Sequence, residues 1–189
     1  ESVRQKMLIS TSEMTTDIIN SPQSQNANMF PLVSGNLGST NFSVSNFTGL
    51  TDVASVLGGV GNAVQVTISG SGNAIWFTIP AKLMAFMEGR TVTWSLLGFG
   101  DATASPTAGS TAVWEDVTPT QANTTATGTG ITSNQAQLQQ GTITHTIGTS
   151  LTSLHFGFVM GGLAGSKPLV FETMSLQLGE IKPDGLSLV

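Results

Sequence analysis

The chain has 189 residues, enough for one domain with its own core and too few for two full domains. Only 9% of the residues are Asp, Glu, Lys or Arg and the formal charge is -5, so no basic patch is available for nucleic acid. The absence of Cys excludes disulfides and thiolate zinc sites, and no apolar run reaches the roughly 20 residues that would span a bilayer.

Residues 1–20 are predicted to form a helix, because apolar residues recur there at helical intervals. Ser21-Pro22 ends this helix, and residues 21–28 form a polar linker. The apolar stripe is too sparse to stabilise an isolated helix, so the helix either docks on the domain or forms a stalk with other copies of the chain. The stripe consists of Val3, Met7, Met14 and Ile18.

The remaining segment, 29–189, consists mainly of alternating strand patterns separated by turn residues. A short apolar helix is predicted at 81–87, after Pro80 ends a strand. The sequence leaves the secondary structure of two stretches undecided. Residues 47–57 fit a short helix or a strand followed by a loop, and residues 120–140 fit a long exposed connection or an edge strand. Strands are predicted at 41–45, 64–69, 75–79, 90–96, 111–118, 142–147, 154–160 and 169–178.

The strands at 64–69 and 75–79 are predicted to form a hairpin, because Ser69-Gly-Ser-Gly-Asn73 between them is rich in turn residues. Roughly eight strands with one helical insert favour two packed sheets. The predicted fold class is therefore all-β: an antiparallel β-sandwich of jelly-roll type at 29–189, preceded by a short N-terminal helix.

Trp114 is the strongest candidate for ligand contact. Because Val113 is the better core residue, Trp114 and Asp116 are expected to project together from the solvent face of their strand. An exposed Trp beside a carboxylate suits a sugar, since the ring stacks on C–H bonds and the carboxylate accepts hydroxyl hydrogen bonds. The alternative is that Trp114 packs under residues 120–140 or against another subunit.

The other aromatic and titratable residues are interpreted as structural. Trp94 is expected in the core, and Trp76, which faces opposite to Ile75 and Phe77, is expected to cover the second sheet or an interface. His145 and His155 have no second ligand at zinc spacing. Neighbouring carboxylates on one strand face opposite ways, so Glu115 cannot pair with Asp116 as in a glycosidase.

Four phrases of the sequence resemble the carbohydrate-binding-module-like jelly rolls of bacteriophage tail fibres and tailspikes. In that family a Gly-x-Thr-x-x-x-Ser strand follows a loop, which Gly89, Thr91 and Ser95 match. The last strand of the family ends in Gln-Leu-Glu-x-Gly, which Gln177-Leu-Gly179 matches only in part. The phrases are Gln65-Val-Thr-Ile68, Trp76-Phe-Thr-Ile-Pro80, Met87-Glu-Gly-Arg-Thr-Val-Thr-Trp-Ser95 and Phe171-Glu-Thr-Met-Ser-Leu-Gln-Leu-Gly179.

This resemblance implies a non-enzymatic receptor-binding domain of a phage fibre that recognises a host surface glycan and is located in the virion. Two alternatives remain: a structural virion protein, or an accessory carbohydrate-binding module of a secreted glycoside hydrolase. The resemblance also implies a homotrimer, with the N-terminal helix and one sandwich face in contact. Calcium is the one metal it leaves open, with Asp101, Asp116 and Asp184 as the available acids.

Overall fold

A computed structural model describes residues 37–57, 62–68, 72–161 and 167–179. The predicted N-terminal helix and linker, at 1–28, lie outside these residues, as does Asp184. The elements are β1 (Ser43–Ser45), β2 (Phe47–Ala54), β3 (Asn62–Ile68), β4 (Asn73–Thr78), α1 (Ala81–Met87), β5 (Thr91–Phe99), β6 (Gly109–Glu115), β7 (Ala126–Thr127), β8 (Gln139–Thr146), β9 (Leu154–Met160) and β10 (Pro168–Leu178).

The strands form two five-stranded sheets whose described pairs are all antiparallel. The first sheet has the order β1-β4-β9-β6-β7, and the second has the order β2-β3-β10-β5-β8. These sheets confirm the predicted all-β antiparallel sandwich. The two strands beyond the predicted eight are β2 and β7. β2 shows that the stretch at 47–57, which fits a helix or a strand followed by a loop, begins with a strand, whereas β7 has two residues, too few for a clear alternation.

The predicted hairpin between β3 and β4 is wrong. β3 pairs with β2 and β10 in the second sheet, whereas β4 pairs with β1 and β9 in the first. The connection therefore crosses between the sheets. Turn residues between two alternating strands indicate that the chain reverses, and they do not distinguish a hairpin within one sheet from an arch between two.

The core fills the space between the sheets. Val92, Trp94 and Leu96 alternate along β5 into this core, as predicted for Trp94. The Trp94 indole Nε1 donates to the carbonyl oxygen of Gly157 at 3.1 Å, and its ring lies 5.8 Å from that of Phe156. This hydrogen bond joins the two sheets inside the core.

The helix α1 lies where the sequence predicts a helix, and it packs against the core between the sheets. Met84 and Met87 are its buried residues, and Pro80 precedes its first turn, where a missing N–H costs no helical bond. Gly89 follows with a positive φ of 70°, and its N–H donates to the carbonyl oxygen of Ile147 at 2.9 Å. This conformation suits glycine, and it turns the chain into β5.

A buried carboxylate marks the centre of the second sheet. The register of β10 shifts between Phe171 and Thr173, and Glu172 at this irregularity is fully buried. Its Oε2 accepts a hydrogen bond from the Ser55 hydroxyl at 2.5 Å, and its Oε1 accepts one from the Val56 N–H at 3.1 Å. Glu172 therefore fixes the chain where it leaves β2.

Candidate functional site

The outer face of the first sheet carries a second, smaller apolar cluster. Its buried members are Ala74 on β4, Ala112 and Trp114 on β6, and Val159 on β9. Trp76 packs against it and is partly exposed. A sheet face covered by apolar side chains on its outer side is unusual in a two-layer sandwich, where that side is normally polar.

The expectation that Trp114 is exposed is wrong. Trp114 does point away from the core, opposite to Val113, yet its side chain is 0% exposed. Residues 117–125, which we call the strap, fold back over it, and the indole Nε1 donates to the carbonyl oxygen of Thr120 at 2.8 Å. The alternative, that Trp114 packs under the segment beginning at residue 120, is what the structure shows.

Asp116 does not join Trp114 at a common surface. It is exposed, adopts a positive φ of 55°, and its Oδ1 accepts three hydrogen bonds from Thr152 and Ser153 at 2.7–2.8 Å. The Ser153 amide, followed by the hydroxyl and amide of Thr152, lowers the pKa of this carboxyl below its ordinary value. Asp116 therefore stabilises the turn that precedes β9.

Trp76 is the aromatic residue that the first sheet leaves partly open to solvent. It lies in register with Ser43 on one side and Gly157 on the other. Its ring meets that of Trp114 edge to face, with 6.5 Å between centroids and 60° between planes. Because Trp114 is fixed by the strap, it supports one edge of the Trp76 ring.

Two polar side chains lie beside Trp76. Thr78 is two residues further along β4, on the same face, and its register partner on β9 is His155. The Thr78 hydroxyl and His155 Nδ1 are 3.0 Å apart, and burial lowers the pKa of His155 below its ordinary value of 6.5. The imidazole is therefore neutral near pH 7, with one nitrogen that donates and one that accepts.

We call Ser43, Trp76, Thr78 and His155 the Trp76 surface. It offers one partly exposed aromatic ring, two hydroxyls and a neutral imidazole, with no charged side chain among the four. These groups can stack on apolar C–H faces and exchange hydrogen bonds with hydroxyls. Sequence reasoning missed this role, although the opposite facing of Trp76 to Ile75 and Phe77 was visible in the alternation.

Glu115 and His145 form an ion pair or hydrogen bond between the two sheets, depending on the protonation of His145. Glu115 Oε1 lies 3.0 Å from His145 Nε2 and also accepts the Gly148 N–H at 3.0 Å. Glu115 thus points toward the second sheet and Asp116 toward the turn before β9, which confirms that the two carboxylates face apart. His145 has the structural role that its position in the sequence favours.

A separate groove of about 470 Å³ lies on the outer face of the second sheet. It is mainly apolar, with Phe99 and Val170 among its lining residues and Gln65 and Asp101 as its polar side chains. The Asp101 carboxylate accepts the hydroxyl and the N–H of Thr103 at 2.6 and 2.7 Å, and these hydrogen bonds lower the pKa of Asp101. This groove therefore has two polar side chains among its lining residues, whereas the Trp76 surface has three beside its aromatic ring.

Neither a metal site nor a membrane-crossing helix is found in the described part of the chain. Among residues 37–57, 62–68, 72–161 and 167–179, no three His, Asp or Glu side chains come together as a ligand set. Of the acids considered for calcium, Asp101 accepts hydrogen bonds from Thr103 in its own loop, and Asp116 accepts hydrogen bonds from Thr152 and Ser153. No described helix is long and apolar enough to cross a bilayer.

The sequence matches no protein-family model and no characterised protein. Its fold is similar to that of several solved structures. The first CBM22 xylan-binding domain of Paenibacillus barcinonensis Xyn10C is 12% identical with a TM-score of 0.58, and the similarity covers 79% of this chain and 93% of that one. A second CBM22 xylan-binding domain, formerly x6b, is 9% identical with a TM-score of 0.57, covering 82% and 99%.

A phage protein shares the same fold. The enzymatically active domain of tailspike protein 4 of bacteriophage CBA120 is 12% identical with a TM-score of 0.51, covering 84% of this chain and 22% of that one. At these identities the similarity establishes the fold alone. The chain therefore has a CBM22-like β-sandwich fold, which both a xylan-binding domain and a phage tailspike contain.

Proposed function

We propose that this domain is a non-catalytic carbohydrate-binding module that holds a neutral glycan on the Trp76 surface. The observation that carries the proposal is the partly exposed Trp76 ring beside the Thr78–His155 hydrogen bond, on the outer face of a sheet. The ring supplies a stacking platform and the polar pair supplies hydroxyl partners. Xylan is the first ligand to test, because two of the similar domains are named for binding it.

As the larger protein that contains this domain, a secreted glycoside hydrolase is favoured over a phage fibre. The reason is that xylan-binding domains are similar to this chain over nearly their whole length. The receptor-binding domain of a phage fibre is the second candidate, and the tailspike similarity supports it. The homotrimer, the virion location and the host-surface glycan belong to that second candidate. Light scattering tests it, because a trimer has about three times the 19.5 kDa mass of one chain.

The test of binding is calorimetric titration with soluble xylan, β-glucan and mannan. Trp76→Ala should weaken binding by about tenfold or more, equivalent to at least about 1.4 kcal/mol. Phe99→Ala is the matched control, because it removes an aromatic ring from the groove on the other sheet and should leave binding unchanged. Circular dichroism establishes that both variants are folded. Undiminished binding by Trp76→Ala, or no binding to any polysaccharide, contradicts the proposal.

A further inference from the structure

His155 lies within the Trp76 surface, between two neighbours that carry no charge. Its register partner on β4 is Thr78, and its register partner on β6 is Trp114. The Thr78 hydroxyl is 3.0 Å from the imidazole Nδ1, and Trp114 is fully buried. His155 itself is partly exposed, as Trp76 is. The imidazole is therefore a titratable ring that reaches solvent through the surface on which the glycan is proposed to bind.

Access of water controls the charge of this ring. The strap and β1 contain no titratable side chain, and Lys82 on α1 is exposed. The carboxylate held closest to His155 along β9 is that of Asp116, whose Oδ1 is bonded to Thr152 and Ser153. Burial, and not the charge of Asp116 or Lys82, lowers the pKa of His155. Anything that further excludes water from the ring therefore favours its neutral form.

A bound glycan excludes water from His155 in this way. A sugar that stacks on Trp76 and bonds to Thr78 covers the imidazole, because the Thr78 hydroxyl is in contact with it. Removing water from an ionised group disfavours its charged form. Protonation also makes both ring nitrogens donors, so the ring loses its acceptor for a hydroxyl. Both effects favour a neutral His155 in the complex.

We propose that glycan binding at the Trp76 surface is coupled to the release of a proton from His155, so that the domain holds its ligand near neutral pH and releases it in acid. This inference rests on the proposed function and adds the regulation of the same site. A ligand that binds only the neutral ring has an apparent affinity that follows the neutral fraction. At about one pH unit below the titration midpoint of the free chain, roughly one ring in eleven is neutral, so affinity should be about tenfold lower.

The chain offers a matched control for this test. It has two histidines, His145 and His155. His145 is bonded to Glu115 between the two sheets and takes no part in the Trp76 surface. His145→Gln therefore removes one titrating imidazole away from the site, whereas His155→Gln removes the one within it and leaves a side chain that stays neutral at every pH.

The test is calorimetric titration of the intact chain at two pH values with whichever of xylan, β-glucan and mannan binds. The first is about pH 8, and the second lies about one unit below the His155 midpoint measured by NMR, with circular dichroism to establish folding. The natural chain and His145→Gln should each bind about tenfold more weakly in acid. His155→Gln should bind equally at both, whatever its affinity. Equal affinities of the natural chain, a loss that persists in His155→Gln, or a loss abolished by His145→Gln overturns the inference.

A second measurement needs no variant. The His155 midpoint of the natural chain, followed by NMR, should be lower when the chain is saturated with the same polysaccharide than when it is free. A midpoint that is unchanged or higher overturns the coupling. These outcomes leave the binding function itself standing, which fails in a different way: none of the polysaccharides binds at about pH 8, or Trp76→Ala binds as well as the natural sequence.

Discussion

Replacing Trp114 by Ala tests the burial of this side chain beneath the strap. The substitution removes a fully buried aromatic side chain, for which a large-to-small change costs about 3–5 kcal/mol of unfolding free energy. It also removes the donor to the Thr120 carbonyl oxygen, a hydrogen bond with a net contribution of about 1 kcal/mol. Trp114→Phe keeps most of the ring contact and loses the donor, so it should cost about 1–2 kcal/mol.

Urea unfolding followed by far-ultraviolet circular dichroism measures these costs, since the signal does not depend on the tryptophan that is removed. Trp94→Ala is the reference, because Trp94 is equally buried and should also lose about 3–5 kcal/mol. The two Ala variants should therefore unfold at similar urea concentrations. A cost below about 1 kcal/mol for Trp114→Ala would refute the burial and restore an exposed tryptophan.

Three further results are expected. Glu172→Ala should cost about 2–3 kcal/mol in urea unfolding, because the carboxylate is buried and accepts two hydrogen bonds, whereas Ser55→Ala should cost about 1 kcal/mol. Asn tolerates the positive φ at this position, so Asp116→Asn should keep the local backbone conformation. The pKa of Asp116 is lowered in the folded chain, so the ionised carboxylate stabilises the fold. The difference in unfolding free energy between the natural chain and Asp116→Asn should therefore shrink as the pH falls below about 3.8. The pKa of His155 measured by NMR should lie below 6.5, because burial lowers it. Folding stability should fall as the pH drops from 6.5 toward this folded pKa, since His155 takes up its proton in the unfolded state first. A titration midpoint at or above 6.5 would contradict the burial of the ring.

Strand positions and the packing of the core were predictable because alternation reports directly which face of a strand is buried. The alternation of β5 correctly predicted that Trp94 lies in the core. Pro80 marked the start of α1, and Gly89 marked the turn that follows it. These signals are local, and each depends on a few neighbouring residues. Sheet membership is not local, which is why β3 and β4 were wrongly joined in one hairpin.

The candidate site was predicted only in part, for a related reason. The alternation of β6 showed correctly that Trp114 points away from Val113. It could not show that residues 117–125 return over that face, because their Thr, Gln and Asn composition fits an exposed loop equally well. The contacts with Thr120 and Val113 that hold the strap depend on the tertiary fold.

The indole N–H signals of the three tryptophans provide the most direct test of glycan binding at the Trp76 surface. Trp94 and Trp114 are buried, with their Nε1 atoms bonded to Gly157 and Thr120, so they serve as internal controls. During titration of the ¹⁵N-labelled chain with xylobiose, the Trp76 signal should shift in a saturable way while the other two stay nearly fixed. Saturable binding that leaves the Trp76 signal unmoved, or no binding at all, would contradict the proposed site.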